Sequence, residues 1–177
     1  MIAPTKTTQI PFSYPTFQLA KNFIKAYEIL KLNEATFEVI ITNAALSIEL
    51  ALKALAGSYE IVDFDIRDHV VDGVSFQSSS SKQKVVRPRL GGKGHDLDRL
   101  YDSLDKSVKL VLENSWAVNN VSESLRVVLS RLSNDFQSAR YADEKNSKIY
   151  GSLEIYDALI DVLLSNEYSL FSHTNND

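Results

Sequence analysis

Between Asn33 and Gly57 the residues Phe37, Ile40, Ile41, Ala44, Ala45, Ile48, Leu52 and Leu55 recur at three- and four-residue intervals. That spacing places them on one face of a helix, which Asn33 is expected to cap and Gly57 to stop. A helical face this wide is stable only when other elements cover it, so the rest of the chain must supply partners. On its outer side Glu49 and Lys53 stand four apart in the favourable order, and a surface ion pair is expected there.

The partners are legible by the same rule. After an extended lead-in containing Pro4, Pro11 and Pro15, a first helix carries Phe17, Ala20, Ile24, Tyr27 and Leu30. A third carries Leu97, Leu100, Tyr101, Leu104, Val108 and Val111, with Asp96 in its first turn, where negative charge suits the helix dipole. Asn120 and Glu123 have capping-box spacing ahead of a fourth stripe of Leu125, Val128, Leu132 and Phe136, ending near Tyr141. Gly151 and Ser152 reset the chain for a fifth helix with Tyr156, Leu159, Ile160 and Leu163. The expected fold is mainly all-α, an antiparallel bundle of four to five helices. It forms one domain over residues 1–177, with its core at about 15–165 and a frayed tail at 174–177.

Residues 58–94 interrupt this rhythm as a long insertion between the second and third helices. Val62, Phe64 and Ile66 alternate with Asp63, Asp65 and Arg67, the period of a half-buried strand. Asp72-Gly73 is a turn signal followed by Val74 and Phe76, so a short hairpin is expected. Ser78 to Ser81 read as a flexible polar stretch. From Gln77 to His95 the chain carries Lys82, Lys84, Arg87, Arg89 and Lys93 and no acid. In a chain of net charge -4 this strip of +5 leaves -9 for the remainder. Two readings stand: a phosphate-binding loop in which Gly91, Gly92 and Gly94 let amides approach an anion, or a solvated loop kept soluble by its charge.

Several chemistries are excluded by what is missing. The chain has no cysteine, hence no disulfide, thiolate zinc site or cysteine nucleophile, and a reducing, cytoplasmic setting follows. The start, Met1 to Lys6, lacks a signal-peptide pattern, and no apolar stretch is expected to cross a bilayer. Gly91-Gly92-Lys93-Gly94 lacks the Walker spacing, and no serine triad, paired catalytic carboxylates or dinucleotide fingerprint is found. His69 and His173 have no metal-ligand spacing, so neither a metal nor a cofactor is expected. His95, where the basic strip meets the third helix, is either a general acid or base or a ring that caps the helix or bonds a neighbouring carbonyl. Asp135-Phe136 and Arg140-Tyr141 close the fourth helix with a cation suited to its dipole.

Three pieces in order resemble the HEPN superfamily of small helical domains: Ala44-Ala45-Leu46-Ser47-Ile48-Glu49-Leu50-Ala51-Leu52-Lys53-Ala54-Leu55, then Gly94-His95-Asp96-Leu97-Asp98-Arg99-Leu100, and finally Phe136 through Arg140-Tyr141. The resemblance spans about residues 15–165. It implies a bundle of four main helices that pairs into a homodimer, in phage-defence, toxin-antitoxin or RNA-processing settings. Some members of the superfamily are metal-independent ribonucleases whose signature is an Arg, four to six residues, and a His. Arg89 and His95, with five residues between them, fit that count. The family's pair lies on the last core helix with a polar residue after the Arg, whereas here it precedes the third helix and Leu90 follows. The Gly-His-Asp-Leu context is closer to the non-catalytic, binding branch.

The leading expectation is therefore a dimeric HEPN-like binding module whose basic loop, with Lys82, Lys84, Arg87 and Lys93, contacts RNA, a nucleotide or an acidic partner protein. The runner-up is a ribonuclease in which His95 takes the ribose 2'-hydroxyl proton and Arg89 steadies the phosphate. A third reading is a purely structural partner subunit.

Overall fold

In the computed structural model the described residues are 6–66, 69–71, 74–76, 81–89, 95–119, 121–133, 135–140 and 151–172. Helices dominate and hold the core. In chain order the elements are β1 (Lys6–Pro11), α1 (Tyr14–Leu32), α2 (Phe37–Ala56), β2 (Ser58–Ile66), β3 (His69–Val71), β4 (Val74–Phe76), β5 (Ser81–Arg89), α3 (Leu97–Asp102), α4 (Lys106–Ala117), α5 (Leu125–Leu132), α6 (Asp135–Arg140), α7 (Leu153–Ser165) and α8 (Glu167–Ser172).

Helix α2 occupies the middle, in contact with α1, α3, α6 and α7. Its stripe from Ile40 to Leu55 is buried, while Phe37 at its start is half-exposed. With twenty residues and a mean hydropathy of 1.6 over its most apolar stretch, α2 is long and apolar enough to span a bilayer, contrary to the sequence expectation, yet most of that stretch is buried against its own chain. Helix α1 covers it with Phe17, Ala20, Ile24 and Tyr27. The two run antiparallel, because the chain entering α1 meets the end of α2: the Phe12 and Ser13 amides donate to the carbonyls of Gly57 and Ala54. These bonds satisfy acceptors that the last turn of α2 cannot pair internally.

Asn33 does not cap α2. It ends α1, where its side-chain amide donates to the Ile29 carbonyl at 2.7 Å, and Thr36 takes the N-cap position of α2. Three expected helices are also divided. The third stripe runs on from α3 to α4, but Asp105 accepts from the Ser107 amide and starts a new helix there. The fourth is split into α5 and α6 after Ser133, whose hydroxyl donates to the Leu129 carbonyl and accepts the Leu97 amide, locking the start of α3 to the end of α5. Asn166 separates α7 from α8 and ties the break to α4 through the Ser115 hydroxyl. Eight helices thus stand among the described residues where five are expected from periodicity. The Asn120–Glu123 capping box is not the entry to α5: the N-cap is Ser124, and Glu123 instead pairs with Arg131 and offers its carbonyl to Trp116 Nε1. Asn120 lies outside the described residues.

The described residues of the insertion are strand. β2 pairs antiparallel with both β1 and β5, giving a three-stranded sheet of order β1-β2-β5, and β3 pairs with β4 across the Asp72-Gly73 position, which itself lies outside the described residues. Val62 is buried, whereas the lead-in that forms β1 carries no strand signal in the sequence. Arg67 and residues 141 and 173–177 lie outside the described residues.

A buried polar centre joins α6 to the start of α7. Asp135 is fully buried and accepts from the Gly151 amide at 2.7 Å and the Tyr156 hydroxyl at 2.9 Å. Burial, reinforced by the Asp135 charge, pushes the Tyr156 phenol well above the usual tyrosine range. Tyr27, likewise buried, gives its hydroxyl to Asp157, which Lys31 also holds, and Lys21 pairs with Glu167, so α1 is tied along α7 and α8. A methyl group on Gly151 would overlap the Tyr156 ring and stand 2.8 Å from Leu132 Cδ2. Gly151→Ala is therefore expected to cost about 1–3 kcal/mol of stability by overpacking, read as a lower urea midpoint at unchanged slope. An unchanged midpoint would show that this contact is not close-packed.

Candidate functional site

Glu49 lies on α2 among residues that are buried on nearly every side, and its side chain is only 4% exposed. This overturns the expected surface ion pair. A carboxylate so deeply placed is unfavourable unless charged or hydrogen-bonding partners meet it. Two do: Lys53 Nζ, one turn on and itself only 13% exposed, lies 2.7 Å from Oε1, and His95 Nδ1 lies 2.8 Å from Oε2. The pair sits on the side of α2 that the chain entering α3 covers, which the spacing within α2 alone does not reveal.

His95 Nδ1 thus meets a side-chain carboxylate of α2. Asp96 takes the N-cap position of α3, paired with Arg99. Because a carboxylate only accepts, the Nδ1 position of His95 carries the proton in this contact. The side chain of His95 is 45% exposed, so the ring spans the boundary between a buried acceptor and the surface.

Lys82, Lys84, Arg87 and Arg89, expected in a loop, lie instead on β5, an edge strand of the sheet. The register sets Lys82 opposite Asp65, Lys84 opposite Asp63 and Arg87 opposite Glu60, while Arg89 stands opposite the uncharged Ser58. The acids missing from the strip thus stand on β2, at the positions registered against three of its cations. Arg89 and His95 flank residues 90–94, which include Lys93 and the glycines and lie outside the described residues.

At the same end of α2 an open groove of about 840 Å³ is lined by Phe12, Leu55, Gly57, Leu104, Lys106 and Lys109, among others. Lys109 donates to the Asp102 carbonyl and lies over the Tyr101 ring. Arg89 is registered opposite Ser58, the residue that follows Gly57 of the groove lining. Neither groove lysine stands out in the sequence, since both read as the solvated side of an amphipathic helix. Glu49 carries one available signal: an acid in a helix apolar nearly all round has little outer face to occupy. Among the described residues no group of three or more His, Asp or Glu side chains could hold a metal ion.

No protein-family model, curated protein or solved structure matches this chain.

Removing one member of the Glu49–Lys53 pair strands a buried charge, and Glu49→Leu is expected to cost about 3–5 kcal/mol. Adding Lys53→Met should recover most of that loss. A double-mutant cycle by urea unfolding checks it: single costs below about 0.5 kcal/mol would restore the surface-pair assignment.

Proposed function

We propose that the chain is a HEPN-like binding module of the cytoplasm that holds a single-stranded RNA segment. The observation that carries this reading is one of placement: Arg87 and Arg89 hold the last part of β5, with Arg89 registered opposite Ser58 just past the end of α2, and Lys106 and Lys109 line the groove at that end of α2. Cations arranged along an open surface neutralise phosphates without demanding a sequence, and such binding weakens with added salt because releasing counterions into it gains less entropy. Lys82 and Lys84 stand further along β5, and Lys93 adds to the charge of the same stretch of sequence. A homodimer fits this reading, because apolar Ile29, Leu32, Phe37 and Val39 are exposed around the α1–α2 turn.

A second reading, the metal-independent ribonuclease built on Arg89 and His95, draws support from the Glu49–His95 bond, since an imidazole held by a carboxylate is a common arrangement for a general base. One experiment addresses both. Replacing Lys82, Lys84, Arg87 and Arg89 together by Ala is expected to weaken binding to a single-stranded RNA at least tenfold in low salt. It should also flatten the dependence of log K on log salt by roughly 0.7 for each phosphate that is no longer neutralised. Among single variants Arg89→Ala should cost more than Lys82→Ala or Lys84→Ala, whose positions face acids. Unchanged binding in the quadruple variant rules the interface out, and tight binding of an acidic protein or mononucleotide in place of RNA reassigns the ligand. In chelator the RNA is recovered intact on the binding reading. Shortened RNA that persists in the wild type and disappears in His95→Ala would establish the ribonuclease instead.

A further inference from the structure

Cations on an open surface hold the phosphates of a strand but not its bases, and proteins that retain single-stranded nucleic acid add an aromatic surface on which bases stack. Phe12 is placed to be one. It occupies the joint between β1 and α1 with a φ of 63°, a left-handed conformation that a bulky side chain adopts only where its surroundings enforce it. The end of α2 enforces it here: the Phe12 amide donates to the Gly57 carbonyl at 2.9 Å, and the Ser13 amide to the Ala54 carbonyl at 2.8 Å. A glycine would make the same turn without strain, so the turn alone does not account for a phenylalanine at this position. We propose that the groove at this end of α2 is a nucleotide subsite for RNA, in which Phe12 stacks one base while Lys106 and Lys109 hold the adjoining phosphate. This inference rests on the RNA reading above and adds to it the residue that touches a base.

The groove has the composition that such a ligand needs. Phe12, Leu55 and Leu104 give it apolar lining and Lys106 and Lys109 give it cations, so a flat apolar base and an anion can be met within one site. Its volume of about 840 Å³ falls in the range of roughly 300–1,000 Å³ typical of small-molecule sites. The Phe12 ring is half-buried and meets Phe171 edge-to-face with centroids 6.0 Å apart, a contact that orients the ring and takes up at most one of its faces. Lys109 is held as well: Nζ donates to the Asp102 carbonyl at 2.6 Å and lies 5.8 Å from the centre of the Tyr101 ring. An ammonium has three donors, so that bond steadies Lys109 without exhausting it. Asp105, the acid in the lining, is committed to the start of α4, where Oδ1 accepts the Ser107 amide at 2.9 Å and the Ser107 hydroxyl at 2.7 Å. A free phosphate would make no use of the ring and an apolar peptide none of the lysines, whereas a nucleotide uses both.

The test uses the full chain and two labelled oligomers of equal length, an oligouridylate and the abasic ribose–phosphate chain that has the same charge and no bases. The wild type is expected to bind the intact RNA more tightly by roughly five- to hundredfold, the worth of one stacked base. Phe12→Leu, which keeps apolar bulk against the core, should bring the intact RNA down to the abasic level while the dependence of log K on log salt stays the same. Phe12→Tyr, which keeps a ring, should retain the preference. Lys106→Ala with Lys109→Ala should do the reverse, flattening the salt dependence by roughly 0.7 for each phosphate released and leaving the preference for bases in place. Equal binding of the two oligomers by the wild type overturns the stacking and leaves the RNA reading standing, and that comparison needs no variant to fold. A preference for bases that survives in Phe12→Leu overturns the role of Phe12. Polyglutamate bound as tightly as the intact RNA assigns the groove to an acidic peptide and overturns the subsite. Failure of the wild type to bind either oligomer overturns the RNA reading and the subsite with it.

Discussion

The structure depends on enclosing α2, an apolar helix that carries a charge at its middle. Its twenty residues are long and apolar enough to cross a bilayer by length and composition alone. Here the stripes of α1, α3 and α7, with α6, close around it instead, and that enclosure decides the fate of every polar group it contains. Ser47 turns its hydroxyl back to the Ala44 carbonyl, and Glu49 takes Lys53 from its own helix and His95 from the approach to α3. The carbonyls at its end take the amides of Phe12 and Ser13 from the entrance to α1. Packing and polar satisfaction are thus one problem, solved by the same neighbours.

The breaks between helices follow from a related economy of polar side chains. Ser133 and Asn166 each end a helix by bonding back to its own last turn, and each also reaches another element, Leu97 in the first case and Ser115 in the second. Asp135 begins α6 and binds the chain at Gly151 and Tyr156. The apolar stripes continue across these interruptions, so the core remains contiguous while the chain bends around α2. Such side chains compete with the helical backbone and are most at home where a helix stops.

How much of this can be read from the sequence depends on whether the cause is local. The stripes are legible because a 3.6-residue period needs no partner to be seen, and Phe17 to Tyr27, Ile40 to Leu55 and Tyr156 to Leu163 are buried as that period requires. The breaks at 103–105, 133 and 166 are not, since the apolar period runs straight through them. Asn33 has the chemistry of either helix end, and the direction of its side chain toward Ile29 decides the matter. The pairing of β1 with β2 joins segments some fifty residues apart, with no hairpin turn to announce it. At the candidate site, His95 is legible as an isolated titratable group at a junction, and the cations of β5 as a run without acids. The acids registered against that run belong to another strand, and the burial of Glu49 is set by the segment that folds over it, so neither is visible along the chain.

The central claim is that α2 is the enclosed axis on which both core and site are built. Native-state hydrogen exchange measures this directly, amide by amide. The account predicts that amides in the middle of α2, from about residue 44 to 55, exchange only through global unfolding, with protection equal to the stability found by urea. Exchange of those amides through a lower-energy opening, while α1 and α7 stay protected, would contradict it.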